Sequence, residues 1–178
     1  MSQLKVDSII PRGGLPSGAS GGIIQVKSTV KKDTFSQSLN ANTVSNDMGL
    51  NVTITPQSAS SKILIIVQTT IGLGTDDHVG FVVLRGSSLV PDYFPSSAGN
   101  RTTFASGSAT KANSYPVGVS GCFLDNPATT SATTYSVRLK YGRGANDMTI
   151  FLNRANEDAD QVYRQRSAST LTCMEVSG

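Results

Sequence analysis

The amino-acid sequence predicts an all-β protein, an antiparallel β-sandwich of the jelly-roll kind. Charged residues make up only 15% of the 178 and Trp is absent. Ser and Thr supply roughly a quarter of the chain, which suits short strands joined by small-residue turns. Apolar and polar residues alternate over segments of strand length, separated by turns rich in Gly, Pro and Asn. No segment combines a sustained helical period with caps.

Residues 1–22 are predicted to be an extended arm that precedes a domain of residues 23–178. "LKVDSII" alternates like a short strand, and "PRGGLPSGASGG" after it holds too much Gly and Pro for a helix or a core. Because such a segment has no fold of its own, we expect it to dock on another chain. The arm would fill a groove or add a strand there through four apolar residues: Leu4, Val6, Ile9 and Ile10.

The first half of the domain contains five predicted strands. "IIQVKSTV" and "DTFSQSL" come first. "LNVTITP" alternates cleanly, with Leu50, Val52 and Ile54 on one face, which predicts a half-buried strand. "SKILIIVQTTIG" is apolar on both faces over residues 63–67, so we expect a central strand. "HVGFVVLRGSSLV" predicts a strand with a turn at Gly86.

The second half predicts four more strands. "SYPVGVSGCFL" is one, and its Gly118 and Gly121 suggest β-bulges. "TTYSVRLKY" directs Ser136, Arg138 and Lys140 to one face and its Tyr, Val and Leu residues to the other. We predict that it forms a hairpin with "MTIFLN" through the turn "GRGAND". "STLTCMEV" is the last strand.

Residues 90–116 form a long polar stretch with two open interpretations. Loops of this length are usually functional or mobile. It is either an outward-facing contact loop, whose aromatic rings would stack on sugars while Asn side chains donate hydrogen bonds, or a lid that packs its aromatic rings over the edge of the sandwich. The candidate contact residues are Tyr93, Phe94, Asn100, Phe104 and Asn113.

Catalytic and metal-binding patterns are sparse, so we predict no enzyme activity and no cofactor. His78 follows Asp76 and Asp77, but no further ligand stands at a metal-binding spacing, which favours a polar start to a strand. The sequence "RANEDADQ" leaves two alternatives open: a calcium site, or a solvated acidic turn paired with Arg154 or Arg164. Its carboxylates are Glu157, Asp158 and Asp160.

Charge and cysteine usage limit the partners. The basic groups at residues 31–32 and 164–166 lack the interleaved aromatics of a nucleic-acid platform, so we predict no nucleic-acid binding. No apolar run approaches the roughly 18 residues needed to cross a bilayer, so we predict no membrane insertion. Cys122 and Cys173 each lie in an apolar strand-like segment, which favours two buried free thiols over a disulfide.

An ordered set of stretches resembles the small fibre-type structural proteins of tailed phages, especially cyanobacterial and marine phages. These stretches are "MSQLKVDSII", "GGIIQV", "VTITPQSASSKILIIV", "FLDNPATTSATTYSVRLKY", "MTIFLNR" and "STLTCMEV". The resemblance covers most of the chain apart from residues 74–115. It implies a C1q- or TNF-like jelly roll that forms a homotrimer, with the amino-terminal segment attaching it to the particle.

The resemblance further implies a non-enzymatic virion protein, assembled in the host cytoplasm. We expect a tail-fibre or tail-associated module that contributes to host adsorption, with a tail hub, fibre or capsid protein as its partner. A capsid decoration (cement) protein is the near alternative. A carbohydrate-binding module that recognises a host surface glycan is a further alternative, and it is compatible with a structural role.

Overall fold

A computed structural model describes residues 22–74, 77–96, 99–110, 115–142, 147–162 and 164–178. The predicted arm lies outside this part of the chain, apart from Gly22. The described residues contain the short 3-10 helix Pro91–Tyr93 and eleven strands. The strands are β1 (Ile23–Lys31), β2 (Phe35–Leu39), β3 (Asn51–Ile54), β4 (Lys62–Leu73), β5 (Asp77–Arg85), β6 (Ser88–Leu89), β7 (Ser106–Thr110), β8 (Val117–Asp125), β9 (Thr133–Tyr141), β10 (Met148–Leu152) and β11 (Ser169–Val176).

The strands form two antiparallel sheets, so the predicted all-β class is confirmed. The larger sheet has the order β1-β11-β4-β10-β2, with β8 on the other edge of β4. The smaller sheet has the order β3-β9-β5-β6, and β7 also pairs with β5. The pairs are nested: β1 pairs with β11, β2 with β10, β3 with β9, β4 with β8 and β5 with β7. The first half of the chain therefore runs against the second half in reverse order.

The core lies between the sheets, an arrangement consistent with a β-sandwich. Ile63, Ile65 and Val67 of the larger sheet and Phe81 and Leu139 of the smaller sheet are all 0% exposed and belong to one apolar cluster. Strand β4 is flanked by β8 on one side and by β11 and β10 on the other, so it is the central strand that the sequence predicted. The predicted inward face of β3 is also confirmed, because its apolar residues are buried.

The predicted hairpin of "TTYSVRLKY" with "MTIFLN" is wrong. Strand β9 pairs with β3 and β5 in the smaller sheet, whereas β10 pairs with β2 and β4 in the larger sheet. The chain therefore crosses from one sheet to the other between these strands. Both strands bury one face in the shared core, and a sheet-to-sheet crossing preserves that alternation as well as a hairpin does.

Two predictions about glycines and loops also need correction. Gly118 and Gly121 are not bulges, because β8 keeps an unbroken register with β4 from residue 117 to residue 125. Gly121 is instead needed for space, since a Cβ there would collide with the Tyr93 hydroxyl. The stretch of residues 90–116 contains β7, which the sequence did not predict because "SGSAT" has no apolar alternation.

A buried carboxylate ties the two sheets together where β8 ends. Asp125 is 1% exposed and accepts hydrogen bonds from Arg85 Nη1 at 2.9 and 3.0 Å. It also accepts one from the Tyr135 hydroxyl at 2.6 Å. Burial, and next the hydrogen bond to Asp125, raise the pKa of Tyr135, so the phenol stays a donor. Asp125 thus links β8 of the larger sheet to β5 and β9 of the smaller one.

Candidate assembly surface

The outer face of the larger sheet carries an apolar row that crosses four strands. Because Ile63 and Ile65 point into the core, alternation along β4 directs Leu64 outward. Leu64 lies opposite Met174 of β11 and Leu124 of β8, and Met174 lies opposite Val26 of β1. Val26 is 51% exposed and Leu124 48% exposed. We call Val26, Met174, Leu64 and Leu124 the apolar row.

Two further rows beside the apolar row are uncharged. The first consists of Ser28, Thr172, Ile66 and Cys122 in register. The second consists of Val30, Thr170, Gln68 and Ser120. With strands about 4.8 Å apart and a rise of about 3.4 Å per residue, the three rows cover roughly 400 Å². These three rows therefore form an uncharged surface of apolar and small polar side chains, which we call the neutral face. The exposed Lys62 lies beyond the apolar row, opposite Val176 of β11.

The two cysteines occupy opposite sides of the larger sheet. Both are free thiols, as predicted, but the prediction that both are buried is wrong for Cys122, which is exposed. Cys122 pairs in register with Ile66 and shares its outward direction. Cys173 is 0% exposed in the core, and burial raises the pKa of its thiol to about 12. Sequence could not separate these environments, because both segments are rich in apolar residues.

The aromatic residues of the long loop do not form one outward surface. Tyr93 packs inward: its ring stacks on Phe123 of β8 with 3.6 Å between centroids, and it also contacts Phe81 of the core. Burial raises the pKa of the Tyr93 phenol. This part of the loop matches the lid interpretation, in which an aromatic ring closes the edge between the sheets.

The other candidate contact residues are dispersed. Phe94 is half-buried directly after the 3-10 helix, and Asn100 is exposed in a turn. Phe104 is half-buried and rests on Gly80 at the outer face of the smaller sheet, whereas Tyr93 contacts Phe81 and Phe123 on the inner side. Asn113 lies outside the described residues, and so do the four apolar residues of the arm, whose anchoring role stays a prediction.

The acidic turn is occupied by arginine side chains. Asp158 accepts hydrogen bonds from Arg166 at 2.9 and 2.6 Å and lies 3.4 Å from Arg154. Glu157 pairs with Arg164. The hydrogen bond from Arg166 is the largest cause that holds the pKa of Asp158 below its usual range. Of the two alternatives for this turn, the arrangement matches the arginine-paired turn, and no group of three potential metal ligands occurs among the described residues.

His78 lies at the start of β5, as predicted. Its side chain is 67% exposed, and Nδ1 lies 3.4 Å from Oδ1 of Asp77. Asp77 is buried, and its oxygens accept hydrogen bonds from the Tyr141 hydroxyl at 2.8 Å and from the His78 backbone at 2.7 Å. The carboxylate therefore fixes β5 to β9 and orients the exposed imidazole.

Fold and surface together define a class: an all-β domain of two antiparallel sheets, one with a neutral face. Comparison with known proteins adds no closer identity, since neither a protein-family model nor a curated protein matches the chain. In the described ranges no helix has the length and apolar character needed to span a membrane.

Proposed function

We propose that this protein is a non-enzymatic, trimeric structural module of a tailed-phage virion, joined to the particle by its amino-terminal arm. Within the particle we favour a tail-fibre or tail-associated position that contributes to host adsorption, and capsid decoration is the rival position. The neighbours of the arm in an intact particle distinguish these two positions. Contacts with a tail hub would support a role in adsorption, and contacts at a capsid threefold axis would support decoration.

The nested strand pairing supports a jelly roll. A jelly roll consists of two Greek keys, in which successive strands of the first half pair with strands of the second half in reverse order. The five nested pairs follow that rule and include every described strand except β6. The first stretch of the phage resemblance, "MSQLKVDSII", lies outside the described residues; the others lie in β1, β3 with β4, β8 with β9, β10 and β11, so they include both strands of the outermost pair.

The neutral face is the observation that supports association of identical chains, and the number of three copies comes from the phage-fibre resemblance. Apolar side chains on an exposed sheet mark association surfaces when they are contiguous. A second copy of the chain suits this face because its rows hold no charge, so two copies meet without like-charge repulsion. On the edge strand β1, Val30 of this face is 52% exposed, and Ile23 at the start of the strand is 59% exposed. Burying this edge also removes an open strand from solvent.

Leu64→Glu tests the trimer, with Thr53→Glu as its matched control. Thr53 is exposed on β3 of the other sheet, so both variants add one carboxylate to a strand. Burial of an unpaired carboxylate costs several kcal/mol, about enough to dissociate the assembly. We expect sedimentation velocity to show trimers for the wild type and for Thr53→Glu. Leu64→Glu should sediment as a folded monomer.

Maleimide labelling of Cys122 gives an independent readout of the same face. Cys122 is exposed in one chain, whereas Cys173 is buried and serves as an internal control. We expect slow labelling of Cys122 in the wild type and fast labelling in Leu64→Glu. A wild-type protein that sediments as a monomer at about 10 µM, with Cys122 reacting like a free thiol, would refute the trimer.

Deletion of residues 1–12 tests the attachment role separately. The truncated chain keeps all the described strands. We expect it to remain a soluble trimer and to be absent from assembled particles. Incorporation at normal occupancy would refute anchoring by the arm while leaving the trimer intact.

A further inference from the structure

We infer that the outer face of the smaller sheet carries a binding cleft for a carboxylated sugar, such as a uronic-acid unit of a surface glycan. Two adjoining cavities of about 430 and 460 Å³ lie around Phe104, and both are lined by His78, Thr102 and Phe104. These volumes lie within the range of small-ligand sites. That the ligand is a host glycan rests on the proposed role in host adsorption. The cleft itself is formed by one folded chain.

Three glycines from separate segments seat the Phe104 ring. A Cβ at Gly107 or Gly142 would lie 2.7 Å from a ring carbon, and a Cβ at Gly80 would lie 2.6 Å from the ring and would also strike the backbone of Ser106. None of the three has a positive φ, so it is space and not backbone conformation that requires glycine there. The three glycines lie against the ring from Cγ at one end to Cζ at the other. The ring is therefore held along its whole length against the sheet.

The position of this ring points to a ligand. Val79 and Phe81 point into the core, so Gly80 between them faces outward, and the ring that rests on it lies outside the sandwich. The face of an aromatic ring carries partial negative charge and attracts the weakly positive C–H groups of a sugar face. Because the ring is already immobilised, stacking a sugar on it costs little side-chain entropy.

The charges around the ring favour an anionic sugar. Arg101 is exposed and lines the larger cavity beside the exposed imidazole of His78. The Lys140 ammonium lies 5.9 Å from the ring centroid and donates a hydrogen bond to the Thr103 carbonyl at 2.9 Å. The neighbouring carboxylate of Asp77 is buried and already accepts two hydrogen bonds. A sugar carboxylate would therefore meet basic groups at the rim, where charge-assisted hydrogen bonds can form.

A pair of sugars tests both the site and its charge preference. The probes are a glucuronic-acid-containing tetrasaccharide and its carboxyl-reduced counterpart, titrated calorimetrically into the full-length protein at pH 7 and low salt. We expect the acidic sugar to bind about tenfold more tightly than the reduced one, the size of one charge-assisted hydrogen bond. Equal affinities for the two sugars, or no heat from either at about 10 mM, would overturn the inference.

Arg101→Gln and Lys32→Gln separate local recognition from overall charge. Both remove one positive charge, but Lys32 lies in the turn between β1 and β2, away from the cleft. We expect Arg101→Gln to weaken binding of the acidic sugar about tenfold and Lys32→Gln to leave it within about twofold. Equal losses in the two variants would indicate non-specific attraction and would contradict the cleft.

Phe104→Leu tests the stacking platform, with thermal unfolding as its folding control. A folded variant should bind both sugars about tenfold more weakly, because the flat aromatic face is lost. Unchanged binding would contradict the role of the ring. Sedimentation of the same samples distinguishes the two proposals: trimers without sugar binding refute only the cleft, and sugar-binding monomers refute only the trimer.

Discussion

Replacement of Glu175 by Gln should destabilise the domain at neutral pH. Glu175 lies on β11 and is 0% exposed. Its Oε1 accepts a hydrogen bond from the Gln57 backbone N–H at 2.7 Å, and its Oε2 accepts one from Gln25 Nε2 at 2.6 Å. Gln25 also donates to the Thr55 carbonyl at 2.7 Å. One carboxylate thus joins β1, β11 and the segment that follows β3.

The size of the destabilisation by Glu175→Gln follows from the loss of one hydrogen-bond acceptor. A Gln at this position has one carbonyl oxygen and one NH2 group, so one of the two donors, Gln57 N–H or Gln25 NH2, faces another donor. Turning the Gln25 amide does not help, because its oxygen would then face the Thr55 carbonyl. A buried donor left without a partner costs about 1–3 kcal/mol. For a chain of this size we expect a melting temperature lower by roughly 2–12 °C.

The difference in unfolding free energy between the wild type and Glu175→Gln should depend on pH, and the direction follows from the pKa of Glu175. Burial raises the pKa of Glu175, but the hydrogen bonds from Gln25 and from backbone N–H groups outweigh it and hold the pKa below the usual value. The carboxylate therefore contributes stability above the unfolded pKa of about 4.3, and this stability is lost as pH falls through the lower folded pKa. The stability gap between wild type and variant should shrink over that range.

Urea unfolding at pH 7, 5, 4 and 3, at equal protein concentration, measures the stability gap between the wild type and Glu175→Gln. Glu157→Gln is the control, because Glu157 lies in the acidic turn and makes a partly exposed ion pair with Arg164, which contributes less than about 1 kcal/mol. The reasoning is refuted if Glu175→Gln matches the wild type at pH 7, or if the gap persists unchanged to pH 3.

Three further predictions concern packing, the sheet-to-sheet tie and the acidic turn. Gly121→Ala should cost about 1–3 kcal/mol in urea unfolding because its methyl group collides with Tyr93, whereas Gly118→Ala, with nothing within 4 Å, should stay within about 0.5 kcal/mol. Asp125→Ala should cost about 1–3 kcal/mol, since it leaves the buried Tyr135 hydroxyl without its acceptor, and an unchanged stability would contradict the tie. Calcium should leave the melting temperature unchanged because arginines occupy the acidic turn, and a rise would restore the calcium alternative.

Most strand positions could be predicted from sequence because apolar and polar residues alternate along those strands; β7 lacks such alternation and was not predicted. The alternation in "LNVTITP" places Leu50, Val52 and Ile54 in the core, where the structure has them. Sheet membership could not be predicted in the same way. A strand shows the same period of two whichever sheet it joins, so β9 and β10 read as neighbours although they lie in different sheets.

The candidate sites were only partly visible in the sequence. The apolar residues of "SKILIIV" on both faces indicated a central strand, but not that no described strand covers its outer face. Tyr93 and Phe104 looked alike as loop aromatics. Their different positions depend on glycines brought close by the fold: Gly121 makes room for Tyr93, and three others seat Phe104. Local sequence patterns contain no signal for contacts between such distant residues.

The nested pairing has a consequence for synthesis on the ribosome. Strand β1 must wait for β11, and the hydrogen bond between Gln25 and Glu175 joins residues 150 positions apart. Contacts of such long range form slowly. During synthesis β7 emerges before β11, so the innermost pair, β5 with β7, can form while the outermost pair, β1 with β11, must wait. Pairing of β1 with β11 therefore marks a domain whose strands have all been made.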